Sequence, residues 1–554
     1  MMRSDTDKNG ARTAPPGALM TSTDNVSPVS VTTGPGTGNV RLAELVAALS
    51  LGVDLGFGQP MEHVLRQCII ALRLAEAAGL DEAERSVTYY TALLVNVGCH
   101  TDAHEQSKWF GDDIALKSKK YDHELGSLSG ALAMMRRLGS GNPPLNRFRV
   151  LVEFAISGHR DLNNMIADHA ALARGLAEQL GLSETVQRSV GTAYEQWDGK
   201  GWPGELQGDT IPIASRLSQI GEFTEVAHRV GGTAAALDMA KKRAGSQFDP
   251  GLADTFCSHA DDILDGLDAD ETWDAVIGAE PALGVYLSPT EFDAALGAVA
   301  DFVDLKSPYM LGHARGVSEL AGAAGATVGL NTAEVVQLRR AGVVHGWGRL
   351  GISNAIWDKQ GTLGAGERER VRMHPYLTER MLCQSDALAP LGVITVALRE
   401  RLDGSGYPRG LSGAGLSMSA RVLGAADAYQ AMCEPRPHRE ALTPEQAAME
   451  LRDEVKAARM DGDAVEAVLG AAGHRVPRRR EGPAGLTARE IDVLRLVSRG
   501  LPTKEIAARL VISTKTARNH IEHIYSKIGV SNRAGASLFA VQHGLLPDEE
   551  FIVG

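Results

Sequence analysis

Apolar residues recur every three or four positions through most of the stretch from residue 40 to 475, in Ala- and Leu-rich runs such as ADHAALARGLAEQLGL and the segment from Glu334 to Val344. That period places them on one face of an α-helix, and alternating strand patterns are scarce, so an all-α body is predicted. The tail from Leu486 to Leu546 gives four short helices by the same reading. Thr487 and Glu490 form a capping box, in which the hydroxyl and the carboxylate each satisfy a backbone N–H at the helix start. Ile491, Leu494 and Val497 then share a face. After the break at Gly500-Leu501-Pro502 comes TKEIAARL, and Ser513 caps a third helix running to about Ile528. In that helix Ala517, Ile521, Ile524 and Ile528 take the buried side, leaving Lys515, Arg518, Asn519, Glu522 and Ser526 outward.

Charge changes the picture at this end of the chain. The whole sequence carries a net −13, yet Arg475 to Leu546 holds thirteen basic against five acidic side chains, a local +8 that leaves −21 for the rest. A basic tail on an acidic body puts the polyanion-binding surface at the C-terminus, with Arg475, Arg478, Arg479 and Arg480 as a basic linker over 475–484. An outward Arg can take two acceptors on guanine and an Asn can pair with the edge of adenine, which suits a major groove. Candidate DNA contacts are Lys504, Lys515, Thr516, Arg518, Asn519, Lys527 and Arg533, with Lys504, Lys527 and Arg533 on phosphates. Glu522 is the awkward neighbour, since a carboxylate repels phosphate unless it accepts from a cytosine amino group.

The remaining composition excludes more than it names. Five scattered cysteines without a CxxC pair fit reduced thiols in a cytoplasm and argue against structural disulfides. No run approaches a membrane span, the N-terminus lacks a secretory pattern, and residues 1–39 read as a disordered tail. There is no GxxxxGK[ST] loop, GxSxG elbow or strand-to-helix GxGxxG.

LTAREIDVL, KEIAARLVIS, KTARNHI and YSKIGVSNRAGA together resemble the LuxR-type DNA-binding domain over essentially its full length, 485–547. The resemblance implies a four-helix module with Ser513 to Ile528 as recognition helix and Asn532 to His543 serving dimerisation.

The body repeats itself. WDGKGWPGELQGDTIPIASRLSQIGE from Trp197 aligns with LDGSGYPRGLSGAGLSMSARVLGAAD from Leu402 at an offset of 205 residues. Two copies imply two similar domains or one pseudo-dimeric unit, over 40–275 and 285–474. In the second copy GHARGVSEL, AGVVHGWGRLG, MHPYLTERML, LDGSGYPRGL and ARVLGAADAYQAM follow the order seen in HD-GYP domains, which it resembles over most of its length. That resemblance implies a helical, metal-dependent phosphodiesterase opening cyclic di-GMP, in which a metal pair makes hydroxide from bound water.

Carried over by position, the ligands are incomplete. His313, His345, His374 and Asp427 stand at metal-ligand positions. The bridging Asp is Gly346, the family's paired histidines are Leu398 and Arg399, and its lysine is Arg349. One half-site keeps His313, His345 and Asp427 and the other only His374, which leaves one divalent ion, manganese or iron, or none. The first copy keeps His63 and His169 but has Val95-Asn96, Ala193-Tyr194 and Glu222 at the remaining positions. His100, His104 and His123 are expected in a solvated inserted loop. What survives in both copies is the glycine-proline loop, Asp403, Gly404, Gly406, Tyr407 and Pro408 in the second, which sets a turn rather than performing chemistry.

The expectation is a DNA-binding regulator, a homodimer on double-stranded DNA, whose eroded HD-GYP-like domains sense a cyclic dinucleotide or a signalling protein without membrane attachment. The alternative is a metal-dependent phosphohydrolase coupled to DNA binding.

Overall fold

The computed structural model describes residues 40–121, 159–267, 272–281, 284–475 and 483–546, with a few single positions between 138 and 154. The segment 1–39, His123 and the linker residues Arg478, Arg479 and Arg480 lie outside the described residues. The expected all-α class is observed. Among the described residues the only sheet is an antiparallel pair, Val40–Arg41 with Tyr286–Leu287, which joins the beginnings of the two repeats. No helix among the described residues is long and apolar enough to cross a membrane.

The repeats begin with matched helices. His63–Ala77 corresponds to His313–Thr327, and Glu82–Leu94 to Thr332–Val344; each of the latter two opens with a capping box, Asp81 with Glu84 and Asn331 with Glu334. The His63 and His313 helices have no side-chain cap of their own. A buried aspartate from the preceding helix does that work: Asp54 accepts from the Val64 amide at 3.1 Å and Asp304 from the Ala314 amide at 3.0 Å. An orphan N–H is thereby satisfied and the first histidine of each copy is fixed in place.

The first copy does not have a core to itself. Helix Leu42–Gly56 is buried on almost every side, and its Leu45, Leu49 and Val53 share one hydrophobic cluster with Trp347, Leu350, Met381 and Leu391 of the second copy. A second cluster, from Val317 to Leu469, belongs to the second copy, and a third, from Leu486 to Leu545, to the C-terminal helices. Those helices are Ala488–Ser498, Thr503–Leu510, Thr514–Ile528 and Arg533–Gln542. The Thr487 capping box and the Ser513 cap stand where the sequence placed them, as do Ala517 and Ile524 on the buried side.

The histidines expected in a solvated loop are a correction. His100 is 3% exposed, in a one-turn helix whose ring donates from Nε2 to the Phe302 carbonyl of the other copy at 2.8 Å. His104 is half-buried and bonds Asp358 at 2.8 Å. The polar character of the insert, which looked like solvation, supplies partners across an interface between copies. Asp113 of the insert shows this best: one oxygen accepts from the Ser353 hydroxyl at 2.7 Å and the Asn354 amide at 2.8 Å, and the other lies 3.5 Å from Lys306 and 3.4 Å from Lys117. Burial works to raise this carboxyl, but the two lysines and the hydrogen bonds outweigh it and hold it at about 2.

Burial pushes His100 down to about 3. Its folded value thus lies below the unfolded one, so its contribution to stability is complete above about pH 6.5 and declines as the pH falls toward 3. Denaturant titrations at pH 7 and pH 5 should show a loss of roughly 2 kcal/mol from this residue, and His100→Gln should lose correspondingly less than the parent. Equal losses would assign the acid sensitivity to other groups.

Candidate functional site

The repeated loop is built the same way twice, around a glutamate. Glu195 receives the backbone amides of Gly204, Glu205 and Leu206 at 2.9–3.2 Å; Glu400 receives those of Arg409 at 2.7 Å and Leu411 at 2.9 Å. Both carboxylates are buried, 1% and 5% exposed. The glycine of each loop is forced by proximity, because a Cβ on Gly406 would stand 2.4 Å from Glu400 Cα and one on Gly201 2.5 Å from Glu195 Cα. Motif reading found the glycines and prolines but missed these glutamates. The signal was present, since Glu195 and Glu400 keep the same offset as the loops they hold.

In the second copy three helices converge on Asp427, which is fully buried in helix Met418–Cys433. His313 and His345 come from the other two, and the donor atoms of the three residues lie within 4.8 Å of one another. A His–His–Asp cluster of the kind that holds a divalent ion therefore exists. Its donor atoms, however, already face other groups, although Asp427 Oδ2 has an ion-pair partner and no hydrogen bond among the described residues. His345 donates from Nδ1 to the Gly342 carbonyl at 2.6 Å, which leaves Nε2 as the acceptor, and that position takes an N–H of Arg349 at 2.9 Å. His313 faces Asp427 with Nε2 at 3.1 Å and Glu434 with Nδ1 at 2.8 Å. The second oxygen of Asp427 lies 2.7 Å from the Arg399 guanidinium. Burial alone would raise the Asp427 carboxyl; Arg399, then the two histidines, outweigh it and hold it well below the ordinary range.

The residues present therefore do not fit a metal pair. Gly346 offers no bridging carboxylate, Arg399 stands on the oxygen a second ion would need, and Arg349 covers the His345 nitrogen a first ion would need. His374 lies in the same site with Nδ1 donating to the Val371 carbonyl at 2.7 Å. Burial, then Arg399 and Arg349, push it down to about 3, so its ring is neutral with an Nε2 lone pair that meets no donor among the described residues.

The first copy solves the same electrostatic problem with another cation. Glu222, at the position of Asp427, accepts from Lys120 at 2.6 Å, Asn96 at 3.1 Å and Tyr121 at 3.0 Å. The Lys120 ammonium is enclosed by the rings of Phe57, Tyr121, Tyr194 and Phe223, at 5.2–5.9 Å from their centres. His63 is tied to Glu225 at 2.5 Å. His169 contacts Asp102 and hydrogen-bonds Cys99, whose sulfur is 2.8 Å from the Tyr194 hydroxyl. Lys120, Glu225 and Asp102 were not singled out from the sequence. Lys120 and Asp102 come from the insert, where no motif could align them.

At the C-terminal end Lys504, Lys515, Thr516, Arg518 and Asn519 are exposed, the last four along one side of the third helix. Arg518 is 77% exposed and 3.8 Å from Glu522. Two expected phosphate contacts are instead engaged internally: Lys527 pairs with Glu490 at 2.8 Å, and Arg533 donates to the carbonyls of Gly500 and Leu501 at 2.8 and 2.7 Å. Their amphipathic positions look alike in sequence, and only packing separates them.

These features define a helical body of HD type joined to a helix-turn-helix. Residues 159–252 and 297–464 match the HD domain family, and residues 484–540 match the bacterial regulatory proteins of the luxR family. The chain thus carries an HD domain and a C-terminal helix-turn-helix domain of the luxR family. It is 29% identical over 405 residues to 3'3'-cGAMP-specific phosphodiesterase 3 of Vibrio cholerae, covering 72% of this chain and 88% of that protein. A solved structure of a cyclic GMP-AMP specific phosphodiesterase of V. cholerae superposes with a TM-score of 0.56 at 25% identity, over 79% of this chain and 99% of the other. The tail is 47% identical over 60 residues to a transcriptional regulatory protein of Bacillus subtilis, YhcZ, covering 11% of this chain and 28% of that one.

Removing the carboxylate that holds the second loop should be costly. Glu400→Ala leaves two amides without their acceptor and should destabilise the second copy by about 1–3 kcal/mol, seen as a lower denaturation midpoint and faster proteolysis near Arg409. An unchanged midpoint would show that water replaces the carboxylate without loss.

Proposed function

We propose that this protein is a DNA-binding regulator whose HD-GYP-derived body receives a signal without hydrolysing it. The observation that carries the reading is the Arg349 N–H on His345 Nε2, at 2.9 Å, with Arg399 on Asp427 at 2.7 Å. The positions through which the family would hold its ions are occupied by the chain's own cations. A two-metal route to hydroxide has no bridging ligand here, and no step of hydrolysis is derived through one. The ligand class suggested by the relatives is a cyclic dinucleotide; a signalling protein docking on the loop at Asp403, Gly404, Gly406, Tyr407 and Pro408 is the other candidate.

On the DNA side, Lys515, Thr516, Arg518 and Asn519 form the reading face and Lys504 a phosphate contact, while Lys527 and Arg533 hold the module together. A homodimer through the last helix would place half-sites about one helical turn apart; Leu538 and Val541, 58% and 57% exposed on that helix, are the apolar surface available for it. A second reading, a metal-dependent phosphohydrolase, is favoured by the His313–His345–Asp427 cluster, and requires both arginines to move aside.

The deciding experiment supplies purified protein with manganese or iron and measures hydrolysis of cyclic di-GMP and 3'3'-cGAMP. No turnover is expected; turnover abolished by Asp427→Ala would establish the second reading instead. In parallel, Arg518→Ala should cost roughly 1–3 kcal/mol against one base position, whereas Lys504→Ala should weaken specific and random DNA alike and lower the salt dependence. Equal loss on both DNAs for Arg518→Ala would remove it from base reading.

A further inference from the structure

The two copies replace the family's ions differently, and the difference points to a ligand. In the first copy the replacement is closed: the Lys120 ammonium is bonded to Glu222 and Asn96 under four aromatic rings. In the second copy it is incomplete. Arg349 is 5% exposed, and its Nε and Nη1 have no hydrogen-bond acceptor among the described residues; the nearest carboxylate to Nη1 is Asp304 at 3.8 Å. Arg399 Nε is also buried without an acceptor, although the side chain as a whole keeps 25% exposure. Buried guanidinium N–H groups are rarely left unpaired. Three of them on two guanidiniums that both lie near Asp427, one of the two side chains reaching the surface, call for an anion.

We propose that the second copy's altered site is a metal-independent receptor for a nucleotide phosphodiester, held by the guanidiniums of Arg349 and Arg399 where the family holds metal. The inference rests on the sensing role proposed above and names its site. A planar guanidinium fork matches two phosphate oxygens. His374 supplies the complementary feature, an acceptor: its Nε2 lone pair is buried beside both arginines with nothing donating to it. A ligand that satisfies all of these groups must carry an anion and a hydroxyl donor close together, as a ribose phosphate does. Two rings flank the position, Trp357 at 5.6 Å and Tyr407 at 6.4 Å from the His374 ring, and each already carries a guanidinium over it, Arg349 on Trp357 and Arg372 on Tyr407, both at 5.6 Å. Base stacking on such rings is tolerant of sequence.

The local acids do not satisfy these N–H groups. Asp427 answers Arg399, and Glu434 is taken by His313, Gln430 and Arg436. Asp304 comes no nearer to the Arg349 guanidinium than 3.8 Å, beyond hydrogen-bonding distance, and spends its other oxygen on the Ala314 amide. Tyr407 brings the glycine-proline loop to the same place, so a bound ligand touches the element that both copies keep.

The test uses the full chain in EDTA with fluorescent cyclic di-GMP as probe and inorganic phosphate as competitor. Saturable binding is expected without added metal. Arg399→Ala should weaken it by about tenfold or more and Arg399→Lys by less, since charge survives but the fork does not. Circular dichroism and DNA binding verify that the variants fold, and Arg399→His, restoring the family's residue, is a second substitution should the alanine variant misfold. No binding in EDTA, binding that requires manganese, or binding indifferent to Arg399→Ala would each overturn the proposal. Such failures leave the non-hydrolytic regulator standing, because that reading falls only to metal-dependent turnover or to loss of DNA recognition.

Discussion

A carboxylate buried among helices must have a cation or several hydrogen-bond donors beside it. Asp427 has no exposure at all, and an isolated charge in such surroundings costs several kcal/mol. The rest of the second copy can be read as the answer. Arg399 meets one oxygen, His313 the other, and Arg349 fills the remaining nitrogen of His345. Where a divalent ion would have supplied two charges and drawn the imidazoles inward, two guanidiniums divide the task. Glu222 in the first copy imposes the same requirement, and Lys120 meets it from a part of the chain with no counterpart in the second. Two unrelated replacements at one position of a repeated fold indicate that the constraint is electrostatic, with the identity of the cation free to change.

That freedom depends on a scaffold that stays fixed. Asp54 and Asp304 cap the helices bearing the first histidines, Glu195 and Glu400 hold the loops, and the small Gly201 and Gly406 admit those loops against the glutamate backbone. None of these groups needs a metal. The shared core reaching from Leu42 to Leu391 and the polar contacts of His100 and Asp113 then bind the copies into one body. The fold therefore does not depend on the chemistry of the site.

Much of this was legible before the structure. The helical class, the repeat, the caps at Thr487 and Ser513 and the buried face at Ala517 and Ile524 follow from local periodicity, which sequence records directly. The cluster of His313, His345 and Asp427 was visible through family resemblance. What sequence hid were relations between distant residues. Lys527 and Arg533 look like free cations until Glu490 and the Gly500 and Leu501 carbonyls are brought beside them. His100 and His104 look solvated because polar neighbours are the same evidence for water and for a polar interface. Arg399 could be read as a lost histidine, but its reach to Asp427 is a matter of three dimensions.

The two copies differ in how completely their buried cations are bonded. A pocket whose cation is enclosed by rings and bonded to two acceptors, as Lys120 is, has spent most of its bonding capacity on the fold. A pocket whose guanidiniums retain unpaired N–H groups has not, and those groups favour any state in which an anion reaches them. On the proposed reading the first copy is a structural partner, packed against the second through Phe302 and Ser353, and the second is the responsive unit. Since the Arg399 side chain and the Tyr407 loop both reach this site, an anion arriving there would change the surroundings of the loop that Glu400 anchors. The turn that both copies keep and the arginine pair thereby meet at one site, which is what a response to an anion would require.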